Sequence, residues 1–77
     1  MSARIDKGTT WHGALFKHRF GITVTSGAVS EIKLRCEKRY LFFKYETGLS
    51  YSVSVKSGPC SIEILGTPGT TFELIQS

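Results

Sequence analysis

The stretch AVSEIKLRCEKRYLFFKYE, residues 28–46, decides the fold. Read with a period of two, it is a hairpin. Ile32, Leu34 and Cys36 line one face of a first strand, and Leu41, Phe43 and Tyr45 line one face of a second. The turn between them, Glu37-Lys38-Arg39, carries no Gly, Asn or Pro, so its own signal is weak. Read as a helix, Val29, Ile32, Cys36, Tyr40 and Phe43 form a stripe, with Gly48 just beyond its end. The helix turns Leu34, Leu41, Phe42 and Tyr45 to water, whereas the hairpin exposes only Tyr40 and Phe42. The preferred reading is therefore two strands. It makes the chain all-β, a small antiparallel sandwich or barrel of six to seven strands. The alternative is an α+β fold with one helix over residues 29–46 on an antiparallel sheet.

The flanking segments favour strands. Leu49, Tyr51, Val53 and Val55 share one face, and Ser50, Ser52, Ser54 and Lys56 the other, which is the cleanest alternation in the chain. Phe20, Ile22 and Val24 alternate with Gly21, Thr23 and Thr25; Cys60, Ile62 and Ile64 with Ser61 and Glu63; Phe72 and Leu74 with Thr71 and Glu73. An earlier strand is expected over Thr10 to Lys17, with a bulge near Gly13 because its faces are mixed. Turn signals fall at Ser26-Gly27, Thr47-Gly48, Ser57-Gly58-Pro59 and Gly66-Thr67-Pro68-Gly69, the last suited to a type II turn. Residues 1–8 read as a flexible N-terminal segment and 9–77 as a single β domain.

The totals set bounds. With 77 residues there is room for one domain, and a core this small gains from a staple. No apolar run approaches the roughly 20 residues of a membrane-spanning helix. Met1 to Gly8 contains Arg4, Asp6 and Lys7 and does not read as a signal peptide, although a mature secreted domain given a new Met would look the same. Cys36 and Cys60 both face inward in the strand reading, so a core disulfide is expected, and with it a secreted or extracytoplasmic setting. Two reduced, buried thiols in a cytoplasmic protein are the alternative.

Catalytic and metal chemistry find little support. Two cysteines are too few for a closed four-ligand zinc site without both histidines. His12 and His18 lie six residues apart, about 20 Å along a strand. Asp6 is the only aspartate, no Gly-x-Ser-x-Gly elbow is present, and Glu63 and Glu73 read as outward carboxylates on neighbouring strands. The chain is expected not to be an enzyme and to need no cofactor. An immunoglobulin pattern would place a Trp between the cysteines, but Trp11 precedes both.

One constellation stands above this background. In the hairpin, Lys33 and Arg35 point outward from the first strand and Tyr40, Phe42 and Lys44 from the second, with Lys38 and Arg39 in the turn. Cations beside exposed rings suit anionic partners, because cations find the charges while rings stack on sugars or bases. The net charge of +4 points the same way. Lys17, His18 and Arg19 would extend the patch if their strand lay beside it, and Trp11 is a further candidate platform. The expected function is a non-enzymatic binding module, secreted, presenting a rigid β surface to a protein or glycan partner. The alternatives are an intracellular nucleic-acid-binding domain using the same basic and aromatic face, and a self-associating structural subunit, a homo-oligomer.

Overall fold

The computed structural model describes residues 1–6, 8–54 and 59–77, and these form eight strands and no helix. The strands are β1 (Ser2–Arg4), β2 (Thr10–Leu15), β3 (Arg19–Ser26), β4 (Val29–Cys36), β5 (Arg39–Lys44), β6 (Ser50–Ser52), β7 (Cys60–Gly66) and β8 (Thr71–Gln76). They build two four-stranded antiparallel sheets, a first in the order β1-β8-β3-β6 and a second in the order β2-β7-β4-β5. Successive strands cross between the layers at nearly every connection, and the two orders together are those of a jelly roll. The fold is thus all-β as expected from the alternation, and of the two architectures expected it is the sandwich, with eight strands in place of six or seven.

The deciding stretch is a hairpin. Cys36 pairs with Arg39, Leu34 with Leu41 and Ile32 with Phe43. The turn shrinks to Glu37-Lys38, with Arg39 already in β5. The helical alternative over 29–46 fails because three of the four apolar residues it would expose, Leu34, Leu41 and Tyr45, are buried or packed against the core here, and Phe42 alone stays exposed. Ile32 and Leu34 are fully buried, and Leu41, Phe43 and Tyr45 pack against the core.

Alternation places the core between the layers. From the first sheet come Phe20, Ile22, Tyr51, Phe72 and Leu74; from the second come Leu15, Ile32, Leu34, Cys60, Ile62 and Ile64. Phe20 stacks on Tyr51 with ring centroids 5.3 Å apart, and Phe43 leans on Tyr51 at 5.0 Å. Tyr51 keeps its hydroxyl satisfied by donating to the Lys44 carbonyl and accepting from the Glu46 N–H, as a buried phenol requires.

Several expectations change. Residues 1–8 are not all a loose lead-in: Ser2–Arg4 pair with β8, and Ile5 is fully buried. The Met1 amine and the Ser2 hydroxyl both bond the Glu73 carboxylate, at 2.8 and 2.7 Å. These contacts hold the Glu73 carboxyl below its usual value. Of the cleanest alternation β6 takes only three residues; Tyr51 and Val53 are buried as expected, Leu49 just before the strand stays exposed, and Val55, Lys56, Ser57 and Gly58 lie outside the described residues. Gly13 carries no bulge, since β2 and β7 stay in register from Thr10–Leu65 to Leu15–Cys60. Its role is steric: a Cβ there would collide with the Trp11 ring. The bulges fall at Val24–Ser26 and Val29–Glu31.

Cys36 and Cys60 form a disulfide with Cα atoms 4.3 Å apart. The bridge joins neighbouring strands of one sheet, one step beyond the Arg35–Ser61 pair, and does not cross between the sheets.

Candidate functional site

The outer face of the second sheet is built by the parity of four strands. On it lie Thr10, His12 and Ala14 of β2, Ser61, Glu63 and Leu65 of β7, Glu31, Lys33 and Arg35 of β4, and Tyr40, Phe42 and Lys44 of β5. Register turns them into rows. Gly13 opposite Ile62 and His12 opposite Glu63 fix the β2–β7 pairing, and Lys33 sits opposite both Glu63 and Phe42. One row therefore runs His12, Glu63, Lys33, Phe42. The next runs Ala14, Ser61, Arg35, Tyr40. Directly opposed side chains on one sheet face stand about 5 Å apart at Cβ, so each ring lies beside a cation.

Small residues hollow the middle of this face. Gly13 and Ser61 leave a shallow depression of about 230 Å³ walled by His12, Lys33, Arg35, Tyr40 and Glu63. The floor supplies the Ser61 hydroxyl. The walls supply the Tyr40 ring, two cations and a carboxylate. The His12 Nδ1 lies 3.8 Å from Glu63 Oε1 across the wet face. Tyr40 and Phe42 are 53% and 48% exposed, large for aromatic rings with packed strands beneath them. Glu31 and Glu63 interleave with the cations, so the face is mixed in charge, with the rings and cations grouped on β4 and β5.

The expected constellation is only partly assembled. Lys33, Arg35, Tyr40, Phe42 and Lys44 share the face. Lys38 stands in the turn at its rim. Arg39 belongs to the other side of β5, opposite Cys36, where its guanidinium donates to the Ser54 carbonyl at 2.6 Å. Trp11 also points the other way. It packs edge to face on Phe72 with centroids 5.2 Å apart, as a half-buried core residue. The Lys17, His18 and Arg19 extension does not reach the face, because β3 lies in the other sheet. The same crossing separates two carboxylates: Glu63 and Glu73 occupy β7 and β8, strands of different sheets, so the turn joining them arches over the end of the sandwich. Among the described residues no group of three or more His, Cys, Asp or Glu is placed to hold a metal ion. Among the same residues no helix is long and apolar enough to cross a membrane.

Three residues of the depression, His12, Ser61 and Glu63, lie outside the constellation expected from the sequence. What brings them to the cations is the β2-β7-β4 order, and nothing local in the sequence encodes that neighbourhood.

No protein-family model, curated protein or solved structure matches this chain.

Proposed function

We propose that this chain is a non-enzymatic binding module that works outside the cytoplasm and presents the outer face of the second sheet to a glycan or protein partner. The observation that carries the reading is the register of β4 and β5, with Lys33 opposite Phe42 and Arg35 opposite Tyr40 on a solvent-facing sheet. Rigid strands hold all four side chains, so little ordering cost falls on binding. An acidic saccharide suits the depression best. The Tyr40 ring offers a stacking wall for the apolar face of a sugar, Arg35 and Lys33 offer donors to a carboxylate or sulfate, and Ser61 and Glu63 offer partners to hydroxyls. The Cys36–Cys60 bridge supports an oxidising compartment.

The test is an array of uronate-containing, sialylated, sulfated and neutral oligosaccharides, read with the oxidised protein and with Tyr40→Ser and Arg35→Ser. Loss of one stacking ring is expected to weaken binding by about 5- to 100-fold. Binding to acidic but not neutral saccharides, lost in both variants, supports the reading. Equal binding by wild type and variants moves the site elsewhere.

Nucleic acid is the second reading, favoured by the same pairing of cations with rings. Glu31 and Glu63 on the face count against a long phosphate track. Steep salt dependence on single-stranded DNA or RNA would mark it, and no binding at low salt would remove it.

A further inference from the structure

We infer that β5 is a dimerisation edge that pairs antiparallel with β5 of a second copy of this chain, about a two-fold axis at Phe42.

The four sheet edges are not alike. β1 and β6 are only three residues long. β2 is covered by Gln76 of the other sheet, whose amide donates to the Ala14 carbonyl at 3.2 Å and accepts from the Phe16 N–H at 2.9 Å. β5 has six residues, and two of them, Tyr40 and Phe42, are exposed rings. Short edges and covered edges are the usual protections against strand addition; among the described residues β5 is covered only at its Lys44 end, where the Tyr51 hydroxyl bonds the Lys44 carbonyl and the Glu46 N–H.

Parity decides which groups the edge offers. The Tyr45 N–H donates to Ser30 in β4. Alternation along an antiparallel ladder then turns the backbone of Phe43, Leu41 and Arg39 toward β4 and that of Lys44, Phe42 and Tyr40 toward the open side. The Glu46 N–H, which bonds the Tyr51 hydroxyl instead of β4, fits this parity. The Lys44 carbonyl already accepts the Tyr51 hydroxyl at 3.1 Å, and its second lone pair stays available to a strand alongside.

The sequence of the edge is complementary to itself in one register. With Phe42 opposite Phe42 of the second copy, Tyr40 falls opposite Lys44, Leu41 opposite Phe43 and Lys38 opposite Glu46. Ring meets ring at the axis, a lysine lies over a tyrosine on each side, and opposite charges close both ends. A two-residue shift that pairs Tyr40 with Phe42 puts Lys38 against Lys44. The opposite shift, pairing Phe42 with Lys44, removes the partner of Lys38. Lysine on an edge strand ordinarily repels a second copy; in this register Lys44 meets an aromatic face instead. The product is one continuous sheet across both copies, with the outer faces joined at β5.

Sedimentation of the oxidised chain from roughly 1 µM to roughly 1 mM tests this. A monomer–dimer equilibrium is expected. Phe42→Pro removes a ring and an edge-facing N–H while leaving the donors to β4 in place, and it should be monomeric throughout. Lys38→Glu and Glu46→Lys, both outside the strand, should each weaken the dimer by about tenfold, and the double reversal should restore it. A wild type that stays monomeric overturns the inference. So does a dimer indifferent to Phe42→Pro, or a double reversal weaker than either single change. The charge variants keep the test decisive should Phe42→Pro fail to fold.

Discussion

The two ends of β4 and β7 are closed by different chemistry. At one end the Cys36–Cys60 bond ties the strands covalently, and Arg39 reaches the Ser54 carbonyl beside it. At the other end, where β3 turns into β4 and β7 into β8, the closure is a knot of threonines and glycines. Thr70 is fully buried, and its hydroxyl lies 2.8 Å from the Thr67 hydroxyl and 3.2 Å from both the N and O atoms of Ala28. Its carbonyl accepts from Ile5 N–H at 2.9 Å, which draws the β1–β2 connection into the same knot. The difference teaches where stability can be stored. A disulfide acts mainly on the unfolded chain, by removing entropy from it. The threonine knot acts on the folded chain, by leaving no buried polar group unpaired. Among the described residues no buried side-chain nitrogen or oxygen lacks a partner.

The largest expected effect comes from breaking the covalent end. The bridge closes a loop with a sequence separation of 24, worth about 3–4 kcal/mol in the chain-entropy account. Replacing both cysteines by Ala should lower Tm on the order of 15 °C for a domain of this size. Calorimetry of the oxidised, reduced and doubly substituted chains checks this. A drop of only a few degrees would mean that the β4–β7 ladder holds this end without help, and the contrast between the ends would disappear.

The two ends also differ in how far the sequence announces them. Two inward cysteines on alternating strands are a visible pair, and their bridge was expected. The threonine knot was not, because Thr67 and Thr70 sit in a stretch whose Pro and Gly read only as a turn. That reading was correct as far as it went: the Thr70 N–H bonds the Thr67 carbonyl, and Gly69 takes a φ of +83°. What it could not hold was the partner strand 39 to 42 residues away in sequence. The binding face divides the same way. The β4–β5 half, with Lys33, Arg35, Tyr40 and Phe42, follows from one local hairpin. The β2–β7 half, with His12, Ser61 and Glu63, depends on long-range strand order. Arg39 and Trp11 went astray for related reasons. A turn one residue shorter than expected moves Arg39 to the other face, and Trp11 finds an aromatic partner, Phe72, in the opposite sheet.

An intermediate effect sharpens the comparison at the non-covalent end. Gly27 and Gly48 both have positive φ, +85° and +79°. Alanine in that region costs about 1–2 kcal/mol at either position. At Gly48 nothing lies within 4 Å of the added Cβ, whereas at Gly27 it would come within 2.9 Å of the Thr70 Cα. Gly27→Ala should therefore destabilise by at least about 1 kcal/mol more than Gly48→Ala in urea unfolding. Equal losses would show that the knot yields to a methyl group at no cost, and that it is looser than the contacts indicate.

The smallest effect isolates the hydroxyl itself. Thr70→Val keeps the branched shape and removes the oxygen that faces Ala28 and Thr67, while Thr70→Ser keeps the oxygen and removes a methyl group. If paired polar groups are what this end stores, Val should cost about 1–2 kcal/mol and Ser no more than about 1 kcal/mol. The order matters more than either value, because an apolar packing role would reverse it. Thr70 and the bridge stand at opposite ends of an eight-residue strand, about 20 Å or more apart, and share no partner. The loss on Thr70→Val should then be the same in oxidised and reduced protein, to within about 0.5 kcal/mol. A larger loss in the reduced chain would mean that the bridge stiffens the whole β4–β7 ladder, so that the far end feels its absence and the two closures act as one.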